Sequence, residues 1–281
     1  LFNIHTCQYD HSLLNLFNIP EHICPTVVNN DDPFGIINKN IIGKELPVLT
    51  MIGDQQAALF AQCQNEKNSI KNTYGTGLFI CTNTHEKIIT SNKLISTIGW
   101  KLNKKINYAL EGSIFTGGSA IQWLRDELKI IKSTDQTNNI DKKTKLNQDV
   151  FFIPALTGLG SPFWAPHTKG ALVGLSRDTN QKTIIRAVLE SLAYQTKAVI
   201  ETIVKILPER KFDVLKVDGG ASENPFLMQF QADCLNMKVK KTSSKETTTL
   251  GAAGIAGINA NMWSINEFKK IIKYNKTITP K

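Results

Sequence analysis

Between residues 180 and 206 apolar side chains return every three or four positions: Ile185, Val188, Leu189, Leu192, Val199, Ile200 and Ile203, with Thr196 in the same stripe. That is the period of an α-helix, and a stripe this long has one continuous face to bury. The segments on either side alternate in type. Residues 11–17 read as a short helix with Asp10 as N-cap and Pro20 beyond its end. Residues 28–46 read as loop, residues 47–52 as a buried strand, and helical spacing begins after Asp54. Strand material follows over residues 71–82, broken by Gly75-Thr76-Gly77, and again over 106–115. Gly117-Gly118 opens a helix, residues 132–148 are polar and expected to be exposed, with a helix possible, and 151–154 form a short strand before a loop rich in glycine and proline. After the long helix come a strand at 212–217, a helix at 225–235, a short strand near Val239 and a helix at 248–258. Strands alternating with helices define an α/β protein.

The chain has 281 residues, 41% of them hydrophobic and 20% charged, enough for one large domain or two ordinary ones. The most continuous apolar run, residues 250–258, is too short for a bilayer span and is broken by glycines, so no membrane insertion is expected. The net charge of +9 comes from scattered lysines such as Lys142, Lys143, Lys145, Lys240 and Lys241, without interleaved aromatic residues. That pattern argues against nucleic-acid binding, while a positive surface attracts a nucleotide triphosphate. Five cysteines lie far apart with no C-x-x-C pair, and the histidines form no H-x-x-x-H pair. These spacings argue against a zinc site or a disulfide framework and for a reducing, cytoplasmic setting. The chain opens at Leu1 with no signal-peptide pattern, and residues upstream are expected.

Four glycine turns stand at strand ends or helix starts: Gly75-Thr76-Gly77, Gly117-Gly118, Gly158-Leu159-Gly160 and Gly219-Gly220. Glycine lets a backbone approach an anion closely, and amides at a helix start favour negative charge. Tight turns use glycine everywhere, so each turn alone carries little. None fits the P-loop or the dinucleotide fingerprint. Thr76 could offer hydroxyl and amide to a phosphate or merely complete a hairpin; Asp218 could lie beneath a nucleoside or merely end a strand. Asp54 follows an apolar segment and precedes a helix, where it either caps the helix or faces a cleft as a general base. Gln55 beside it offers donor and acceptor, as polyol recognition requires.

Taken in order, these segments resemble one family. Gly53-Asp54-Gln55-Gln56-Ala57-Ala58-Leu59-Phe60, Asn72-Thr73-Tyr74-Gly75-Thr76-Gly77, YALEGSIFTGGSAIQWLRD at 108–126, PALTGLGSPFW at 154–164, VDGGASEN at 217–224, LMQFQAD at 227–233 and ETTTLGAAGIAG at 246–257 are similar to glycerol kinases of the FGGY carbohydrate kinase family. The resemblance covers nearly the whole chain. It implies an actin/hexokinase-like (ribonuclease H-like) ATPase fold. Residues 1–64 would end the first, substrate-side lobe; residues 65–281 would form the second, nucleotide-binding lobe without its final helix. It implies phosphorylation of glycerol by ATP with Mg2+ in a full-length homo-oligomer. Asp54 would be the general base, Asp54 and Gln55 the glycerol contacts, and Thr76, Gly118, Gln122, Gly220 and Asn224 the ATP contacts. No metal ligand is assigned.

Several departures stand out. The family's Asp-x-Gly-Thr-Thr phosphate turn and its upstream glycerol contacts are not in this chain, so the isolated chain is expected to be inactive. Ala165 and Lys169 replace the family's usual Asp and Arg. Residues 38–43 lack a Gly-Gly-Arg stretch, and Asn40 stands near where other members carry a phosphorylated His, so neither of those controls is assigned. The alternatives are a non-catalytic nucleotide-binding remnant and a sister kinase for another polyol or sugar.

Overall fold

The computed structural model describes residues 1–63, 66–140, 149–244 and 246–281. The expected lobe boundary at 64/65 and the second half of the polar stretch at 132–148 lie outside the described residues.

The principal helices and strands, in chain order, are α1 (Asp54–Cys63), β1 (Ser69–Tyr74), β2 (Leu78–His85), β3 (Ile95–Leu102), β4 (Lys105–Ile114), α2 (Gly118–Asp126), α3 (Gln181–Ile206), β5 (Val214–Asp218), α4 (Pro225–Leu235), β6 (Lys238–Thr242), α5 (Thr247–Asn259), α6 (Ile265–Ile271) and β7 (Tyr274–Ile278). The strands form one seven-stranded sheet in the order β7-β6-β5-β1-β2-β4-β3. β5 runs parallel to β1 and β6; every other pairing is antiparallel. Because successive strand residues face opposite sides, the sheet feeds two cores. Ile70, Tyr74, Leu78, Ile80, Leu110, Ile114, Leu215 and Val217 meet α2, α3 and α4 on one face. Cys81, Trp100 and Ala109 meet α1, α5 and α6 on the other. The long helix is capped by Asn180, which accepts the Thr183 amide at 3.2 Å, and every residue of its predicted stripe is buried.

The α/β expectation holds: a mixed sheet is covered by helices on both faces. Three local features depart from the sequence reading. Residues 48–53 form no strand; only Leu46–Pro47 pairs, with Ile36–Ile37. Val48 still exchanges backbone bonds with residues 34–35, donating to Gly35 O at 2.9 Å and accepting from Phe34 N at 3.3 Å. Beyond it the Leu49 and Met51 carbonyls are met by side chains, from Asn259 and Asn30, each at 2.6 Å. β3 was not anticipated, because a bulge between Ile98 and Trp100 breaks its alternation. α6 and β7 were not read either, although Ser264 and Glu267 form a complete capping box ahead of α6.

Candidate functional site

β1 and β5 are parallel neighbours in register, with Asp218 opposite Thr73, so the turns that follow them emerge at one edge of the sheet. Open α/β sheets bind ligands outside the carboxyl ends of their parallel strands. Gly219 holds φ at +84°, and a Cβ there would fall 2.6 Å from the Tyr74 carbonyl oxygen, so the two turns touch backbone to backbone. α2 starts against the first of them. Its amides from Gly117 and Gly118 donate to Thr76 O and Gly75 O, both at 2.8 Å, and the Ser119 hydroxyl donates to Thr76 O at 2.9 Å. The helix start is thus bonded to the hairpin's carbonyls; these amides are not the free anion donors that the glycine pair suggested. The exposed Thr76 side chain is left facing outward.

A cavity of about 360 Å³ opens between this hairpin, α2 and the turn at residues 220–224, a size suited to a small-molecule ligand. All five residues expected at the nucleotide, Thr76, Gly118, Gln122, Gly220 and Asn224, line it. Gln122 is exposed on α2. A Cβ at Gly220 would meet nothing within 4 Å, so that wall is open. Asn224 is 3% exposed; its carbonyl oxygen caps α4 by accepting the Leu227 amide at 2.9 Å, and its amide donates to Thr137 Oγ1 at 3.0 Å. That bond pulls residues 134–138 over the cavity, where Thr134, Asp135, Thr137 and Asn138 add polar lining that the sequence reading took for exposed surface. Tyr74 closes the floor, its hydroxyl donating to Gln231 Oε1 at 2.7 Å, and burial pushes its pKa up. Gly158-Leu159-Gly160 does not line the cavity. Among the described residues the lining contains two carboxylates, Asp135 and Glu223, and no lysine or arginine; Lys241 pairs with Glu223 at 2.5 Å.

Asp54 and Gln55 stand at the same sheet edge but on the opposite face, where α1 packs. Asp54 is exposed, and its Oδ1 accepts the adjacent Gln55 amide at 2.7 Å. It is therefore not a buried helix cap. Gln55 Oε1 accepts from Lys71 Nζ at 2.5 Å, and the same ammonium donates to Thr73 Oγ1 at 3.0 Å. Thr73 lies two residues before Gly75, so a short polar chain joins Gln55 to the strand that ends in the hairpin. Asp218 does not line the cavity. It is 3% exposed, receives bonds from Gln62 Nε2 and the Thr247 hydroxyl, and keeps Oδ1 unpartnered. Burial pushes its pKa up, against the pull of Lys71 and Thr73. A second cavity, about 390 Å³, lies at the far end of β1 and β5 beside Lys216 and Lys240, away from all seven expected residues.

Among solved structures this lobe matches sugar kinases. A xylulose kinase from Lactobacillus acidophilus, 19% identical, superposes with a TM-score of 0.81 over the whole chain and 58% of its own, which establishes the fold. The chain belongs to the FGGY family of carbohydrate kinases: the family's C-terminal domain matches residues 70–260. Glycerol kinases of Thermococcus gammatolerans and Lactobacillus acidophilus are each 46% identical across the full chain, which spans 56% and 57% of their lengths. The crystal structure of Plasmodium falciparum glycerol kinase with ADP, 34% identical, matches all of this chain and 57% of its own with a TM-score of 0.89.

Proposed function

We propose that the protein phosphorylates glycerol with ATP, giving sn-glycerol 3-phosphate and ADP, and that this chain supplies the nucleotide lobe and the Asp54–Gln55 end of the acceptor site. In this reading the division is residues 1–64 from the first lobe and 65–281 from the second, with α1 ending just before the junction and packing on the second lobe's sheet. The observation that carries the reading is the convergence of Thr76, Gly118, Gln122, Gly220 and Asn224 on one cavity, with Asp54 and Gln55 at the same edge of the sheet. The identity to glycerol kinases along the whole chain supports glycerol among the family's acceptors.

The chemistry follows from what the side chains offer. The adenosine end lies between Gln122 and the 220–224 turn, and the phosphates run toward Thr76. The lining offers the phosphates hydroxyl and amide groups from Thr76 and Gln122. Magnesium, if bound with the nucleotide, would supply positive charge against the phosphates. The exposed Asp54 carboxylate accepts the proton of the acceptor hydroxyl as that oxygen bonds to the γ-phosphorus. The bond to the β-phosphate oxygen breaks, and ADP leaves. Alignment and electrostatics carry most of such a rate. ATP and ADP as ligands, assembly into a homo-oligomer and a cytoplasmic location belong to the same reading.

The full-length protein, assayed by 31P NMR with ATP, Mg2+ and glycerol, should form glycerol 3-phosphate. Asp54→Asn should lose roughly 100-fold or more in kcat, the scale of one general base. No product from the wild type, or equal rates in the two proteins, would overturn the proposal; product from another polyol alone would point to the sister-kinase reading.

A further inference from the structure

Lys71 lies mid-way along β1 and is 0% exposed. No carboxylate lies within 4 Å of its ammonium among the described residues. Its hydrogen-bond partners are the Gln55 side-chain oxygen at 2.5 Å and the Thr73 hydroxyl at 3.0 Å. A buried ammonium is costly; the Asp218 carboxylate on the neighbouring strand offsets part of that cost from beyond hydrogen-bond range, while the residues in register with Lys71 carry like charge. In register across β1, β5 and β6 stand Lys71, Lys216 and Lys240. Lys216 is answered by Glu66, also at 2.5 Å, and Lys240 lies over the Tyr274 ring. Lys71 alone of the three donates to an amide of the candidate acceptor site.

An ammonium has three donors and no acceptor. Gln55 must therefore turn its oxygen toward Lys71, and the planar amide then carries its NH2 group away from it. Without Lys71 the amide could present either end. We propose that Lys71 is a positioning residue that fixes Gln55 as a hydrogen-bond donor, so that the Asp54–Gln55 pair reads one substrate hydroxyl by its proton and a second by its oxygen lone pair. The pair is then polarised: Asp54 accepts, Gln55 donates. A vicinal diol satisfies both at once, and a substrate lacking the second oxygen leaves the Gln55 N–H without a partner. This inference rests on the acceptor site proposed above and adds to it the residue that sets its polarity.

The test is a double-mutant cycle in the full-length protein with Lys71→Met and Gln55→Ala. Lys71→Met should raise KM for glycerol roughly tenfold, the loss of about one hydrogen bond, while KM for ATP stays within about twofold, since Lys71 touches nothing in the nucleotide cavity. Once Gln55 is Ala, the second substitution should add little, because coupled groups fail to add. Lys71→Arg, another donor without an acceptor, should keep more of the wild-type KM than Lys71→Gln, which also presents an acceptor; this comparison serves if the Met variant does not fold. A wild type inert toward glycerol overturns the acceptor site and this inference together. An active wild type in which Lys71→Met leaves glycerol KM unchanged, in which the two losses simply add, or in which Gln serves at position 71 as well as Arg, overturns the role of Lys71 alone.

Discussion

Residues 1–53 and the sheet lobe beyond them obey the same local rules and arrive at opposite packing. In the first region Asp10 caps a helix over His11–Leu16, accepting the Leu13 amide at 3.1 Å, and Gly43 ends another turn in the left-handed conformation. Yet Leu14 is its one buried residue, while Ile41 is 75%, Leu16 71%, Ile36 67% and Phe17 61% exposed. In the lobe, both faces of the sheet are covered and Phe60 is 0% exposed, set 5.1 Å from Trp100 and 5.8 Å from Phe268 between ring centroids. Caps and turns are local and form wherever their residues stand. Burial needs long-range partners, and the first region has few within this chain. Its open apolar side chains fit the proposed reading, in which residues 1–64 complete a lobe built largely by other parts of the protein.

The contrast breaks most easily at its extremes. Phe60→Ala should destabilise the protein by about 3–5 kcal/mol, as buried aromatic truncations do. Ile41→Ala should stay within about 0.5 kcal/mol, as exposed substitutions do. Chemical denaturation of both variants checks this, and similar losses would dissolve the distinction between the regions.

A smaller effect sharpens the comparison at the start of β1. Burial pushes the Glu66 carboxyl up, but bonds from Lys216, Ser69 and Lys269 outweigh it and hold its pKa at about 2, below the ordinary 4.5. A depressed carboxylate pKa contributes stability that is complete above about 4.5 and is lost as pH falls toward 2. The melting-temperature gap between wild type and Glu66→Gln should therefore be widest above about pH 4.5 and close below it. A gap that stays constant through that window would show that the bonded carboxylate contributes nothing. The group is partly exposed, so the gap should be modest.

Much of the lobe was legible because its signals are local and periodic. The stripe of α3, the Asn224-Pro225 start of α4 and the glycine turns each state their element within a few residues. The parts that were not legible depend on neighbours. Residues 47–52 look like a strand, but pairing is a property of two segments, and the partner at residues 34–37 reaches only as far as Val48. β7 reads Tyr-Asn-Lys-Thr-Ile, an edge strand whose polar residues suggest loop until β6 is beside it. The five cavity residues were found by motif resemblance. Thr137, which draws its segment over the cavity, is joined to Asn224 across 87 positions of sequence and leaves no local trace. Lys71 looks like an ordinary outward strand residue; only the arrival of α1 makes it a buried partner of Gln55.

The central claim is that a nucleotide occupies the cavity between Thr76 and Asn224. Gly220 offers the cleanest probe, since a side chain there enters open space and disturbs no packing. Isothermal titration of ADP into wild type and Gly220→Leu should show affinity lower by roughly tenfold or more in the variant, for about 1.4 kcal/mol or more of lost binding, with an unchanged melting temperature in the absence of nucleotide. Equal ADP affinity in the two proteins would contradict the claim.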